Sequence, residues 1–284
     1  MASVGMVLSG GMAKGAYQLG ALRAIGEWFA PSEFSQISCA SVGSLNGYAF
    51  TMQRLAQAEA MWHGLCETET RMFVGKVLRS NFLQQSVGLI CNSNDVLPTC
   101  LRTTLLNFGK RRVSYTNLQE VPNDRLASYL RASVAMPIYN HSVKIGQHSY
   151  FDGAMVDNIP VFPLLAEPPD YIFCIYFDDT TYMFENEFFD SRIIKITLPA
   201  RNRLKDSVLF RKDSIADMLE QGYEKTAELL HVVFTGGKDD LECIYRCIAL
   251  RNREATAPKL RVTGDVFVSN LNRIAQKFSA RKIE

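Results

Sequence analysis

Ser38-Cys39-Ala40-Ser41-Val42-Gly43-Ser44-Leu45-Asn46 closes an apolar run, Gln36 to Ala40, and opens a helical pattern at Val42. The order is strand, sharp turn and helix, with Ser41 at the apex. That is the shape of a nucleophile elbow, in which small residues two before and two after the serine let the backbone fold back without a clash. Gly43 meets the second requirement; Cys39 stands where glycine is usual. The helix starting at Val42 aims its unpaired amides and the positive end of its dipole at the hydroxyl, which favours an alkoxide-like transition state. Ser41 as a plain helix N-cap is an equal alternative on this stretch alone.

Outward from the elbow, the start of the chain repeats the pattern. Val4 to Leu8 reads as a buried strand, Gly10 to Gly15 as a turn and Ala16 to Phe29 as a helix. Two consecutive β-loop-α units imply a parallel sheet. The first turn, Leu8-Ser9-Gly10-Gly11-Met12-Ala13-Lys14-Gly15, gathers backbone N–H groups suited to a phosphate or to an oxyanion. A P-loop is excluded because Ala16 and Tyr17 follow where Lys and Ser or Thr are needed. The dinucleotide fingerprint fails at Met12, its second glycine position. An oxyanion cradle is the better use of the loop.

A third segment, Tyr150-Phe151-Asp152-Gly153-Ala154-Met155-Val156-Asp157-Asn158-Ile159-Pro160, puts a carboxylate at the end of an apolar strand. Buried beside a serine, Asp152 is a candidate base whose desolvation raises its basicity. As an isolated pair, Asp152-Gly153 is better read as a turn, for which Asp-Gly is a favoured pair.

The chain has 284 residues, 47% apolar, with 31 basic against 29 acidic residues and a formal charge of +2. This is the composition of a folded protein with a sizeable core, and near-neutrality argues against a dedicated nucleic-acid binder. The N-terminus lacks the basic start and apolar stretch of a signal peptide, and no apolar run approaches the ~20 residues of a membrane span. Seven scattered cysteines without Cys-X-X-Cys spacing suggest reduced buried thiols rather than zinc. Arg125 to Ala132 is expected as a helix, Val143 to Phe151 as a strand pair, and Tyr171 to Phe177 and Ile193 to Leu198 as strands. Residues 71–110 mix apolar residues with Asn92, Ser93, Asn94 and Asp95 in a pattern that fits loop plus helix, and the stretch stays open. Beyond Pro199 a long amphipathic helix carries Leu204, Val208, Ile215, Leu219, Tyr223 and Leu230 on one face, and a last helix is expected over Asp265 to Ala280. These assign residues 1–200 to a core and 201–284 to a helical extension packed on the same domain.

The glycine-lysine loop, the Ser-X-Gly elbow and the Asp-Gly segment, in that order, resemble the patatin-like lipid acyl hydrolases over about residues 3–180. Ala132, Ser133, Ala135 and Pro137 resemble the family's Ala-Ser-X-Ala-X-Pro stretch, and Asn158 and Pro160 its Asn-X-Pro. The resemblance implies a three-layer α/β/α fold with a mainly parallel sheet and additional C-terminal helices. It also implies a Ser41–Asp152 dyad without histidine, an oxyanion hole from Gly10, Gly11, Met12, Lys14 and Gly15, and no metal or organic cofactor. Of four histidines, His63, His141 and His148 precede Asp152, so a serine-acid-histidine order leaves only His231. Implied substrates are phospholipids, lysophospholipids or acylglycerols at a membrane surface. An activating protein partner, and a cytoplasmic, peripheral-membrane or host-delivered setting, are compatible with it, and residues 71–110 are the expected place for an acyl groove or lid. The sequence departs from the family pattern at Cys39 and Ala154, both small; Cys39 is expected to tighten the elbow or make it thiol-sensitive.

Other residues have plainer readings. Cys243 and Cys247 sit at helical spacing and suit core packing. Asp157, Asp178 and Asp179 suit solvated loop ends better than a cation site. Lys110, Arg111 and Arg112, and the group Arg201, Arg203, Lys205, Arg211 and Lys212, fit either anionic headgroups or an exposed helix face. Two rival functions remain from the sequence: a membrane- or partner-binding module with a silent elbow, and a hydrolase of soluble esters.

Overall fold

The computed structural model describes residues 1–64, 72–73, 81–137, 139–177, 183–184, 186–197, 209–210, 212–254, 259–260 and 281–283. The first strand, β1 (Val4–Leu8), is buried throughout, as expected of a parallel strand covered on both faces. Beside it lie β2 (Phe34–Ala40), β3 (Cys100–Asn107), β4 (Arg112–Asn117), β5 (Val143–Ile145), β6 (His148–Asp152), β7 (Tyr171–Tyr176), β8 (Ile193–Thr197) and β9 (Arg281–Ile283). They form one nine-stranded sheet in the order β8-β7-β1-β2-β3-β4-β9, and β6 pairs with both β3 and β5. The five strands from β8 to β3 are parallel, while β4 and β6 run antiparallel to β3.

Side chains alternate across this sheet as the pleat requires. Met6, Leu8, Phe173 and Ile175 enter the larger core, where α1 (Gly15–Trp28), α2 (Val42–Thr51), α3 (Leu55–Gly64), α4 (Phe82–Ile90) and α5 (Asn123–Ser133) supply partners such as Leu22, Leu45, Trp62, Val87 and Leu130. Val7, Ile172, Cys174 and Tyr176 face the other way onto Ile159, Val161, Leu164 and Phe189. Among the described residues, that second covering layer comes from the segment Ile159–Leu165, with its 3₁₀ turn Phe162–Leu165, and from the short helix Glu187–Asp190.

Two further helices, α6 (Lys212–Val233) and α7 (Leu241–Glu254), add to the larger core through Ile215, Leu219, Leu230 and Ile248. The α1–α6 crossing is backbone to backbone: a Cβ on Gly20 would lie 1.9 Å from the Leu219 carbonyl oxygen, and one on Gly222 2.0 Å from that of Tyr17. The long helix starts at Lys212, later than its apolar pattern suggests. Leu209–Phe210 instead pairs as a short strand with Met72–Phe73, and Leu204 and Val208 lie outside the described residues, as does the expected Asp265 to Ala280 helix. Of the two helices described beyond residue 210, α7 is not marked by the sequence pattern. Residues 71–110, left unassigned by pattern, contain α4 and the central strand β3. None of the helices among the described residues is long and apolar enough to cross a membrane.

Candidate active site

The register of β3 brings the two candidate catalytic side chains together. On one flank, β2 runs parallel to it and ends with Ala40 opposite Thr104. On the same line beyond, β6 arrives antiparallel and ends with Asp152 opposite Leu105. Two strands of opposite direction therefore meet end to end at neighbouring residues of β3. Ser41 and Asp152, 111 positions apart in the chain, face each other across that junction.

Ser41 has φ 52° and ψ −130°, a backbone conformation that side-chain-bearing residues rarely adopt. It is held there from both sides. Ser44 N–H donates to the Ser41 carbonyl at 2.8 Å, and a Cβ on Gly43 would lie 2.6 Å from the Leu8 carbonyl oxygen and 2.8 Å from that of Ser9. The elbow is thus pressed onto the end of β1, and only glycine fits at position 43. Although Ser41 occupies the N-cap position of α2, its hydroxyl makes no capping hydrogen bond, which sets aside the plain-cap reading.

Cys39 replaces the usual first glycine without disturbing the turn because α2 yields space for it. Its sulfur faces Gly47, where a Cβ would approach Sγ to 2.7 Å. The thiol is fully buried and its pKa is pushed well up by that burial, so the expected thiol sensitivity is corrected: Cys39 is a packing residue.

Asp152 is buried and caps the following turn, with Oδ1 accepting from the Ala154 N–H at 2.9 Å. Turn and candidate base are one residue. Its Oδ2 has no hydrogen bond of good geometry, although the Ser41 hydroxyl is near enough to favour the charged form. Burial dominates, and the carboxyl pKa is pushed up to about 7. Asp152 N–H donates to the Ala135 carbonyl at 2.9 Å, and Gly153 lets the chain turn against β3, where a Cβ would strike the Thr104 carbonyl carbon at 2.7 Å.

The glycine loop forms the third wall. Gly10 lies against the nucleophile, for a Cβ there would be 2.8 Å from Ser41 Cβ and 2.6 Å from Asn158 Oδ1. Asn158 clamps it by two hydrogen bonds, Nδ2 to the Gly10 carbonyl at 3.3 Å and Gly10 N–H to the Asn158 carbonyl at 3.4 Å. The Phe177 ring fills the space beside Gly11. Met12 takes a positive φ of 51° and starts the 3₁₀ turn Met12–Lys14 that runs into α1 at Gly15. The expected oxyanion cradle is narrower than the loop: Lys14 N–H donates to the Gly11 carbonyl at 3.1 Å, Gly15 N–H to the Met12 and Ala13 carbonyls, and Gly10 N–H to Asn158, which leaves the amides of Gly11 and Met12. Lys14 is half-buried, and its Nζ donates to the Phe177 carbonyl at 3.4 Å, so it ties the loop to the end of β7.

Behind the loop sits a buried polar network that pattern reading missed. Asn46 Nδ2 donates to the Gly15 carbonyl at 2.8 Å and to Gln18 Oε1 at 3.0 Å, its Oδ1 accepts from Trp62 Nε1 at 3.1 Å, and Gln18 Nε2 donates to the Ser9 carbonyl at 3.1 Å. The signal was present as Gln18 and Asn46 standing among apolar neighbours in the first halves of α1 and α2. His231, the histidine left for a triad, packs edge-on against Trp28 at 5.3 Å, at the opposite end of α1 from the loop. With 14 residues at about 1.5 Å each, α1 holds it roughly 20 Å away.

The remaining singled-out residues stand apart from the site. Asp157 is fully buried and accepts from the Tyr115 hydroxyl, rather than ending a solvated loop. Cys243 and Cys247 lie half-buried on α7, and the six described cysteines are free, only Cys39 and Cys174 being buried. Among the described residues, no three His, Cys, Asp or Glu side chains are grouped to hold a metal. Asp178, Asp179, Arg201, Arg203, Lys205 and Arg211 lie outside the described residues.

The sequence profile described as patatin-like phospholipase matches residues 6–165, more than half of the chain and every wall of this site except Phe177. The chain belongs to the patatin-like phospholipase family. That family is one of lipid acyl hydrolases. No curated protein sequence is significantly similar to the chain. Among solved structures, the chain is similar to VipD from Legionella pneumophila at 12% identity, covering 80% of this chain and 66% of VipD with a TM-score of 0.47. It is also similar to the heterodimeric ExoU–SpcU complex from the type III secretion system of Pseudomonas aeruginosa, at 14% identity, 89% and 58% coverage and a TM-score of 0.39. A second structure of the type III effector ExoU gives 15% identity, 81% and 53% coverage and a TM-score of 0.39. The chain thus spans 53–66% of the lengths of these proteins.

Proposed function

We propose that this patatin-like protein hydrolyses carboxylic esters of phospholipids, lysophospholipids or acylglycerols through a Ser41–Asp152 dyad, with residues 1–200 as its catalytic core and 201–284 as an extension of the same domain that carries α6 and α7 and returns to the sheet as β9. Ser41 Oγ attacks the acyl carbonyl carbon while its proton passes to Asp152, giving a tetrahedral oxyanion. The N–H groups of Gly11 and Met12 hold that oxygen, while the Gly10 N–H is engaged by the Asn158 carbonyl. Collapse breaks the ester C–O bond, and Asp152 returns the proton to the departing alkoxide, leaving an acyl-serine. Water then attacks the acyl carbon, giving its proton to Asp152; the acid is released and Ser41 regains its hydrogen.

The observation that carries this reading is the end-to-end meeting of β2 and β6 on β3, which puts a strained serine beside a buried carboxyl group. A carboxyl pKa of about 7 suits the role, since a base is most effective when its pKa is close to the working pH. The free Oδ2 supplies the lone pair, while Oδ1 is engaged by the turn.

The test is covalent labelling by a serine-directed phosphonate together with product analysis from mixed phospholipid vesicles. Wild type is expected to be labelled and to release fatty acid. Ser41→Ala should lose both, and Asp152→Asn should lose at least ~10³-fold in turnover. Equal labelling of the Ser41→Ala variant would overturn the assignment. Faster turnover of monomeric short-chain esters than of vesicles would favour a soluble-ester hydrolase instead.

A further inference from the structure

The β3–β4 turn and the β5–β6 hairpin leave the sheet at the same end as the site and carry a surface that catalysis does not use. Phe108 follows Asn107 at the tip and lies three residues past Leu105, the partner of Asp152, which at about 3.3 Å per residue puts it roughly 10 Å outward. Its N–H donates to the Ser149 carbonyl at 2.9 Å, and the Lys110 N–H to Asn107 Oδ1 at 3.0 Å, so the tip is an ordered turn joined to its neighbour. Phe108 is 58% exposed, an unusual setting for a large aromatic ring, and is braced edge-on against Phe151 at 5.7 Å.

Charge surrounds this aromatic pair. Lys110 and Arg111 are exposed on the same turn, and Arg112 follows. Lys144 is exposed opposite Ser149, which shares the Phe151 side of β6, so it stands on the same face. The bias extends beyond the tips. Residues 96–119 and 125–151 contain seven Lys and Arg and no Asp or Glu, whereas the whole chain carries only +2. No carboxylate from either hairpin therefore offsets the cations.

We infer that this end of the molecule is a docking surface for an anionic lipid bilayer, with Phe108 entering the interface and Lys110, Arg111 and Lys144 meeting the headgroups. An aromatic ring held rigidly above the surface loses little entropy on insertion, and each cation near an anionic leaflet adds favourable energy. Nucleic acid is the lesser candidate: the patch is two short hairpin tips rather than a stripe, and it adjoins the site of a lipid acyl hydrolase family. The inference deepens the proposed function by stating how the site is presented to its substrate.

Binding is separable from turnover. Flotation of the full chain carrying Ser41→Ala is measured with vesicles of phosphatidylcholine alone and of phosphatidylcholine with one-third phosphatidylserine, at low and high salt. Binding should favour the anionic vesicles and weaken with salt. Lys110→Gln with Arg111→Gln should weaken anionic binding roughly thirtyfold at about 1 kcal/mol per charge. Phe108→Ala should weaken binding at both salt concentrations about tenfold, while leaving phosphonate labelling of Ser41 in the otherwise wild-type chain unchanged. Equal binding by wild type and these variants, absence of binding to any vesicle, or a preference for a DNA duplex over anionic vesicles would each overturn the inference. Loss of phosphonate labelling with vesicle binding intact would instead remove the catalytic reading and leave the docking surface standing.

Discussion

Both strand-to-helix turns at the site contain one non-glycine residue with nearly the same left-handed φ, 51° at Met12 and 52° at Ser41, yet they are fixed by different means. The β2–α2 turn is a single residue locked by backbone contacts: Gly43 rests on the Leu8 and Ser9 carbonyls. The β1–α1 turn is longer and is held by side-chain hydrogen bonds, from Asn46 and Asn158 outside it, from Gln18 of α1 and from its own Lys14. The short turn places a nucleophile, which tolerates little displacement. The long one places a set of donors whose orientation can be tuned by distant residues. The contrast predicts a graded series of mutational effects.

The largest effect belongs to the locked turn. Gly43→Ala drives a methyl into two carbonyl oxygens that cannot move without displacing β1. We expect destabilisation of about 3 kcal/mol or more, at the upper end of overpacking costs, with loss of phosphonate labelling. Urea denaturation checks it, and a variant with wild-type stability would show that the elbow is not sterically fixed.

Asp152→Asn separates the chemistry of the short turn from its packing. A carboxyl group whose pKa is raised by burial is destabilising when ionised, so its contribution worsens as pH rises from about 4 to about 7 and is constant above. The inactive amide variant should therefore match wild type in unfolding free energy near pH 4 and exceed it above pH 7 by on the order of a few kcal/mol, with Tm rising in step. In the wild type, kcat/KM should fall as pH drops below about 7, because the base must be ionised. A Tm difference independent of pH would mean that Asp152 does not titrate in this window.

In the side-chain-held turn, Asn46→Ala removes two donors and one acceptor from a fully buried network and leaves Gln18 Oε1 and the Trp62 indole N–H without the partner that Asn46 supplies. At about 1–3 kcal/mol for an unsatisfied buried group, the expected loss is near 2–3 kcal/mol. Because the elbow is intact, Ser41 should still be labelled, and kcat should fall more than labelling does. Equal loss of both would show that the two turns are not independent.

What was legible in the sequence follows the same division. Ser41, Gly43 and the glycine loop lie within contiguous β-loop-α units, so local spacing reveals them. Strand β3 escaped because its polar residues break the apolar pattern: Thr103 Oγ1 shares a hydrogen bond with Ser44 Oγ at 2.7 Å, and Thr104 Oγ1 donates to the Cys39 carbonyl at 2.8 Å. Those threonines hold the elbow down. Local rules fail where a strand serves the site, as they did for Gln18 and Asn46. The meeting of Ser41 with Asp152 rests on the register of β3 and is invisible without it.

The smallest expected effect is also the sharpest comparison. Glycine at either left-handed position removes strain worth about 1–2 kcal/mol, but costs about 0.5–1 kcal/mol in added freedom of the unfolded chain, plus the packing of the lost side chain. Met12→Gly and Ser41→Gly should thus both lie within about 1 kcal/mol of wild type in urea denaturation. Their activities should diverge completely: Met12 contributes to the site through its backbone, which glycine can reproduce, so turnover should persist within a few-fold, whereas Ser41 contributes the attacking oxygen, which glycine cannot. If Met12→Gly abolished turnover without loss of stability, the Met12 side chain itself would have to act at the site, and the loop could no longer be regarded as a purely main-chain cradle.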